Sequence, residues 1–386
     1  MHIFILPLKD TTLYNDKINQ NTGKDEILEI IKRPITILSS SYDNSSRYVS
    51  TYISSSILSR ILLQFNLSDV SQLISSGIIT APKFYLNMHV CKVEGQEEFS
   101  TLYLYPVTKT WVQGTGKRLD SVIRTTGASW KYRDGETLTA WINAGGDFNG
   151  AVAITASMWP NENRFQESET YTYELADLRV DVSDIVYSWL SGSYDNNGFV
   201  IKRSDEEENN VKDYGVIQFY SSDTNTVFPP TLEVAWDDSE FNIGTGSTAL
   251  IPSNINDMFI YTKNLKSTYN SREKVKIQIG TREMFPSRSY ADINQYNQNK
   301  YLPETSYYSI IDAYTTETII PFDTSSSKIS CDANGNFFNL WMSSFQPERF
   351  YRIRIKVVSG SIQNIFDIPT NFKVVRVWAK LIVKTI

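Results

Sequence analysis

The segment Phe350-Tyr-Arg-Ile-Arg-Ile-Lys-Val357 alternates apolar and polar side chains without a break from Tyr351 onward. Tyr351, Ile353, Ile355 and Val357 share one face, and Arg352, Arg354 and Lys356 share the other. A period of two marks a half-buried β-strand. The same reading disposes of a basic patch. Arg349, Arg352 and Arg354 lie close together, but Glu348 precedes them and apolar residues interleave them. Arg352 and Arg354 therefore read as the wet face of a strand. Lys274-Val-Lys-Ile-Gln-Ile279 repeats the pattern.

Outward from these two segments, most periodic stretches alternate or form short apolar runs. Ser59-Arg-Ile-Leu-Leu-Gln-Phe-Asn-Leu67, Lys83–Val90, Thr101–Val107, Gly198–Lys202 and Thr231–Trp236 are examples. They are rich in β-branched and aromatic residues, and clusters such as Asp43-Asn-Ser-Ser46 and Asp195-Asn-Asn-Gly198 separate them. The pattern predicts an all-β fold of sandwich type. The 23 tyrosines and 19 phenylalanines suit half-buried sheet faces. Two short helices are predicted, over Leu67–Gly77 and Asp181–Gly192, each closed by a glycine. The second would set Ile185, Val186, Trp189 and Leu190 on one face.

A polar, glycine-containing stretch follows Trp236. It divides the chain into a first domain over 1–237, a linker over 238–249 and a second domain over 250–386. The second domain suits an immunoglobulin-like sandwich, with strands at Met258–Tyr261, Tyr308–Tyr314 and Phe337–Met342 besides the two above. The tyrosine- and asparagine-rich segment Phe285–Pro303 reads as a long loop, either a partner contact or an insertion packed on its own domain.

The composition narrows function. A net charge of −6 with no Lys/Arg cluster argues against nucleic acid as a partner. There are 2 histidines, His2 and His89, which disfavours Ser-His-Asp, Cys-His and His-based zinc chemistry. His2 is expected at a loose terminus and His89 in a strand. Cys91 and Cys331 form no Cys-x-x-Cys motif and fall in different predicted domains, which fits folding in a reducing cytoplasm. The opening Met1–Asp10 reads as a first strand rather than a signal peptide. No apolar run is long enough to span a membrane; Val374–Val383 is interrupted by Arg376 and Lys380.

Several segments in sequence carry a resemblance. They are Ser59–Ser68, Ile78–Leu86, Leu104-Tyr-Pro-Val-Thr-Lys-Thr-Trp111, Trp130–Asp147, Asn197–Ile201, Phe219-Tyr-Ser-Ser-Asp223 and Pro229–Trp236. Their order resembles the DNRLRE, or disaggregatase-related, family of jelly-roll modules over about residues 3–236. The resemblance implies an N-terminal two-sheet jelly roll akin to carbohydrate-binding modules. Such modules occur in secreted polysaccharide-active proteins, and similar segments occur in phage virion proteins. The later segments Ser271–Ile279, Thr281–Pro286 and Ile310–Ile319 resemble immunoglobulin-like or macroglobulin-like strand openings and tailed-phage structural proteins.

The candidate ligand site is the segment Trp130–Asp147. Trp130 or Trp141 would offer a flat face to a sugar ring, with Arg133 or Asp134 bonding hydroxyls and Asp147 beside them. The competing reading makes the tryptophans a cap on the sandwich and Gly145-Gly146 a turn into Phe148. Trp111 and Trp159 read as core. Asp10, Asp134 and Asp147 are possible calcium ligands, but no Asp-x-Asp-x-Asp pattern defines a metal site. Asp205-Glu-Glu-Glu208 reads as an exposed hairpin tip. No carboxylate pair stands out for glycoside cleavage, and Gly244-Thr-Gly246 lacks a phosphate-loop context.

The expectation is a non-enzymatic structural component of a tailed-phage virion, made in the host cytoplasm and working without a cofactor. Its partners would be other virion proteins and copies of itself. The alternative is a carbohydrate-binding or adhesin module for a surface polysaccharide.

Overall fold

The computed structural model describes residues 1–42, 48–95, 100–150, 154–158, 177–243, 255–285 and 301–376. The chain is all-β, with sheets of sandwich type. Most of the loop expected over Phe285–Pro303, together with Trp159, Gly244–Gly246 and the end of Val374–Val383, lies outside the described residues. No helix among the described residues is long and apolar enough to cross a membrane. Chain contacts define two compact units. One comprises Ile5–Gln72 and Lys83–Glu233, the other Met1–Phe4, Leu73–Pro82 and Val234–Ile386.

In the first unit the strand Tyr48–Phe65 is the spine. Its second part lies between Pro7–Tyr14 and Phe199–Lys202, antiparallel to both, with Leu63 opposite Asp10 on one side and Phe199 on the other. Ser100–Pro106 and Ile154–Met158 extend the sheet beyond Phe199–Lys202. Ile61, Leu62, Leu63 and Phe65 are all buried. A strand covered on both faces needs apolar residues in succession, which is why this one reads as a run rather than an alternation. In a second sheet of this unit, Lys83–Met88 pairs antiparallel with Leu178–Asp181, Leu86 lying opposite Val180. The helix Ser183–Leu190 buries Ile185, Val186 and Trp189, and the Trp189 ring lies 4.7 Å from that of Phe199. Gly192, at a φ of +74, follows the helix end as expected. The other expected helix is Ser68–Ser75, with Val70 buried and Gly77 beyond it.

Before Ser59 the spine leaves those neighbours and pairs with Ile27–Tyr42. The register runs unbroken from Lys32 opposite Leu58 to Tyr42 opposite Tyr48. Ile27–Lys32 is joined on its other edge by Gly215–Tyr220, and that strand by Val90–Glu94. Those pairings stop at Lys32. On the spine's edge, Asn15 replaces the next rung. Its amide N–H donates to the Leu58 carbonyl at 3.0 Å, its Nδ2 donates to the Ser56 carbonyl at 2.9 Å, and its Oδ1 accepts from Leu58 N–H at 2.6 Å. From Arg33–Tyr42 and Tyr48–Ser55 outward, no other strand among the described residues joins the pair. The result is a two-stranded ribbon about 30 Å long at the usual rise per residue.

The second unit is a two-sheet sandwich. One sheet orders Met258–Thr262, Lys274–Glu283, Gly335–Trp341 and Ser330–Asp332; the other orders Thr268–Asn270, Ile362–Val375, Phe350–Ser359, Ser306–Asp312 and Thr318–Ile320. Ile260, Ile277, Ile279, Phe338 and Leu340 from the first meet Tyr308, Ile310, Tyr351, Ile353, Ile355 and Phe372 from the second in one core. Phe350–Ser359 alternates buried and half-buried residues, as its sequence requires. Arg352 bonds Asn371 and Arg354 bonds Asp367 on the outer face. Phe4 packs against this core, so the opening strand His2–Ile5 is anchored and His2 is buried, not loose. The centre of the sandwich is the stacked pair Tyr308–Phe338, with ring centroids 4.2 Å apart. Truncation of Phe338 to alanine is expected to cost about 3–5 kcal/mol in chemical denaturation, as large aromatic deletions in packed cores do. A loss under about 1 kcal/mol would show that this stack is not central.

Candidate functional site

The segment Trp130–Asp147 packs largely onto its own unit. Trp141 is 5% exposed and sits in a cluster with Leu13, Leu62, Tyr105, Val107, Trp111 and Val200. Its indole N–H donates to the Ser129 carbonyl at 2.9 Å, so the ring is apolar payload with its one polar atom satisfied. Trp130 is half-buried at the rim of the same cluster, and the Arg60 guanidinium lies 5.1 Å from its ring. Gly145 and Gly146 take φ values of +89 and +105. A Cβ on Gly145 would stand 2.8 Å from the Trp130 ring and 2.9 Å from Arg60, so the turn tolerates only glycine there.

The polar residues of the segment serve the same local structure. Asp147 is buried, and its carboxylate accepts from the amides of Ile142 at 2.9 Å and Asn143 at 2.8 Å. Arg133 donates to the carbonyl and hydroxyl of Thr110, both at 2.9 Å. Asp134 accepts from the Glu136 amide and the Thr137 hydroxyl, and that hydroxyl holds its carboxyl below the usual range. Trp130 and Trp141 are thus neighbours at one loop, whereas Arg133 is bonded to Thr110 and Asp134 to its own turn. Asp10, Asp134 and Asp147 do not converge: each lies in a separate set of hydrogen bonds. His89 follows the strand Lys83–Met88; its Nδ1 lies 3.1 Å from Asp177 and its ring 5.1 Å from Phe228.

The strongest electrostatic feature is one the sequence reading placed on the surface. Asp205–Asn209 is a helical turn capped by Ser204, whose hydroxyl accepts from the Glu207 amide, and not a hairpin tip. The turn swings Glu208 inward, leaving its side chain 5% exposed. Arg60 meets this carboxylate through Nε at 3.1 Å and Nη2 at 2.6 Å, and Lys202 through Nζ at 3.1 Å. Lys202 also pairs with Asp205 and lies 5.2 Å from the Phe148 ring. Lys32 donates to the Glu208 carbonyl at 2.7 Å and to the Ser56 hydroxyl at 2.7 Å. Arg60 finally donates to the Gly145 carbonyl at 3.0 Å. One acid therefore ties the spine, the tryptophan loop and the base of the ribbon.

The signal for this cluster was present but unread. Arg60 stands inside a buried run, Lys202 ends one, and an acidic run follows within a few residues. Charges in such places require a partner. Replacing Glu208 with glutamine removes the counter-ion of Arg60 and leaves the buried Lys202 with Asp205 alone. Urea denaturation is expected to show a loss of about 3–5 kcal/mol, and an unchanged midpoint would contradict the assignment.

A second buried acid is Asp10. It accepts from the Ser222 amide at 2.7 Å and hydroxyl at 2.8 Å, with Gln113 at 3.3 Å. Burial outweighs these bonds and pushes its carboxyl up to about 6 from 3.8. The folded state then holds a proton that the unfolded chain releases in this interval, so stability falls as pH rises from 3.8 to about 6 and levels off above it. The variant Asp10→Asn is expected to flatten that slope in thermal unfolding followed against pH. An identical slope in both proteins would assign the effect elsewhere, Asp25 being the other acid that burial raises to about 6.

No family model matches the chain, and no curated protein is similar to it. Among solved structures, it is similar to a DUF4785 family protein from Legionella pneumophila at 7% identity, with a TM-score of 0.17 over 97% of this chain and 65% of that one. It is similar also to β-glucuronidase 3 from Bacteroides uniformis at 7% identity, with a TM-score of 0.16 over 96% of this chain and 35% of that one. The chain thus spans less than two thirds of either protein. Likeness this slight carries no argument about activity.

Proposed function

We propose that this protein is a non-enzymatic structural component that works by assembly, in the setting of a tailed-phage virion. The observation that carries the reading is the ribbon formed by Arg33–Tyr42 and Tyr48–Ser55. It has little local reason to extend so far: an isolated two-stranded hairpin is marginal in water, and no other strand among the described residues pairs with its edges. Such an arm gains stability when a neighbouring subunit completes the sheet. Within this reading, the first unit is a jelly roll of DNRLRE type and the second an immunoglobulin-like sandwich.

A surface-glycan reading gains less support. Its candidate platform has Trp141 in the core, Arg60 over Trp130, and Arg133 and Asp134 bonded to nearby loop residues. Mass spectrometry of purified particles, compared with the soluble fraction of infected cells, tests the proposal. Stoichiometric recovery in particles is expected. Recovery only outside particles, with a glycan-array signal, would replace it with the adhesin reading.

A further inference from the structure

The ribbon's chemistry narrows what it pairs with, and we propose that the partner is a second copy of this chain. Tyr48–Ser55 of one copy pairs antiparallel with Tyr48–Ser55 of the other, across a two-fold axis. This inference rests on the assembly reading above and specifies the partner.

Three observations support it. The first is symmetry. An antiparallel ladder between identical strands closes under a two-fold axis, so one exposed edge supplies both sides of the interface. The register of the ribbon contains no bulge from Lys32 to Tyr42, which leaves the edge regular enough for continuous pairing.

The second is charge. The chain as a whole carries −6, a balance that opposes self-association. Between Pro34 and Ser59 the sequence has only Asp43 and Arg47 as charged residues, which cancel. The strand Tyr48–Ser55 carries no charge, so two copies of this acidic molecule can align it without like-charge repulsion. It also lacks the lysines that commonly protect sheet edges from unwanted pairing.

The third distinguishes the two edges. The Arg33–Tyr42 strand contains Pro34, which has no N–H to give to a ladder. Near its base it is also flanked by the Arg33–Glu94 ion pair. The opposite strand, Tyr48-Val-Ser-Thr-Tyr-Ile-Ser-Ser55, has neither proline nor charge and is rich in β-branched and aromatic residues. Asn15 bonds the spine at Ser56 and Leu58, so the open edge begins at Ser55. Self-pairing turns two marginal hairpins into one four-stranded sheet, above the size at which a sheet becomes independently stable.

The test is size-exclusion chromatography with light scattering on the full chain over a concentration series. Two variants accompany it. One replaces residues 36–54 with Asn-Gly, and the other combines Thr51→Lys with Ile53→Lys, placing like charges on both sides of the ladder. Circular dichroism and thermal unfolding establish that each variant folds. A concentration-dependent doubling of mass is expected for the native chain, with both folded variants remaining at monomer mass. A native chain that stays monomeric throughout would overturn self-pairing. So would a dimer that survives in both variants, since its interface would lie elsewhere. Neither result removes the protein from particles, so the assembly reading stands or falls separately with particle composition.

Discussion

The carboxylate of Glu208 is the constraint on which the first unit depends. It is buried with Arg60 forked against it and Lys202 beside it, while Lys32 holds the carbonyl of the same residue. Buried cations are tolerated only when paired and hydrogen-bonded. Each of these three comes from a different strand: Lys32 from Ile27–Tyr42, Arg60 from the spine and Lys202 from Phe199–Lys202. A single short helical turn therefore fixes the relative placement of three strands. Apolar packing contributes stability without direction; this cluster adds direction.

The consequences reach both features of functional interest. Through Arg60 the cluster touches Trp130 and the Gly145 carbonyl, so the tryptophan loop is held from beneath. Through Lys32 and Ser56 it grips the ribbon on both strands at the point where the sheet ends. Asn15 closes the adjoining edge. The ribbon thus starts from a fixed root. A preformed arm loses less conformational freedom on docking than a disordered one.

Much of the fold was legible in the sequence because strand periodicity is a local property. Phe350–Ser359 and Lys274–Glu283 were readable from alternation, and Ser183–Leu190 from its apolar face and Gly192. The candidate site was less legible. The two tryptophans and the double glycine were legible as one loop, open to a sugar-platform or a sandwich-cap reading, and burial set Trp141 apart from Trp130 in a way spacing does not encode. The acidic run was misread because composition alone cannot tell a solvated tip from a turn that rotates one carboxylate inward. Glu208 meets Arg60 across 148 residues of chain. The ribbon was missed for a related reason. Its serine-rich strands have weak alternation, and their length became visible only through the pairing register.

A ribbon rooted at Lys32 and Ser56, with an edge proposed to await another subunit, has its own signature in amide exchange. Hydrogen exchange followed by mass spectrometry, in dilute and in concentrated chain, reads that signature. The amides of Ser59–Phe65 should be protected at both concentrations, while those on the outer edge of Tyr48–Ser55 should exchange quickly when dilute and slow down on association. Exchange in Tyr48–Ser55 that is indifferent to concentration and to incorporation into particles would contradict the claim, because the edge would then have no partner to gain.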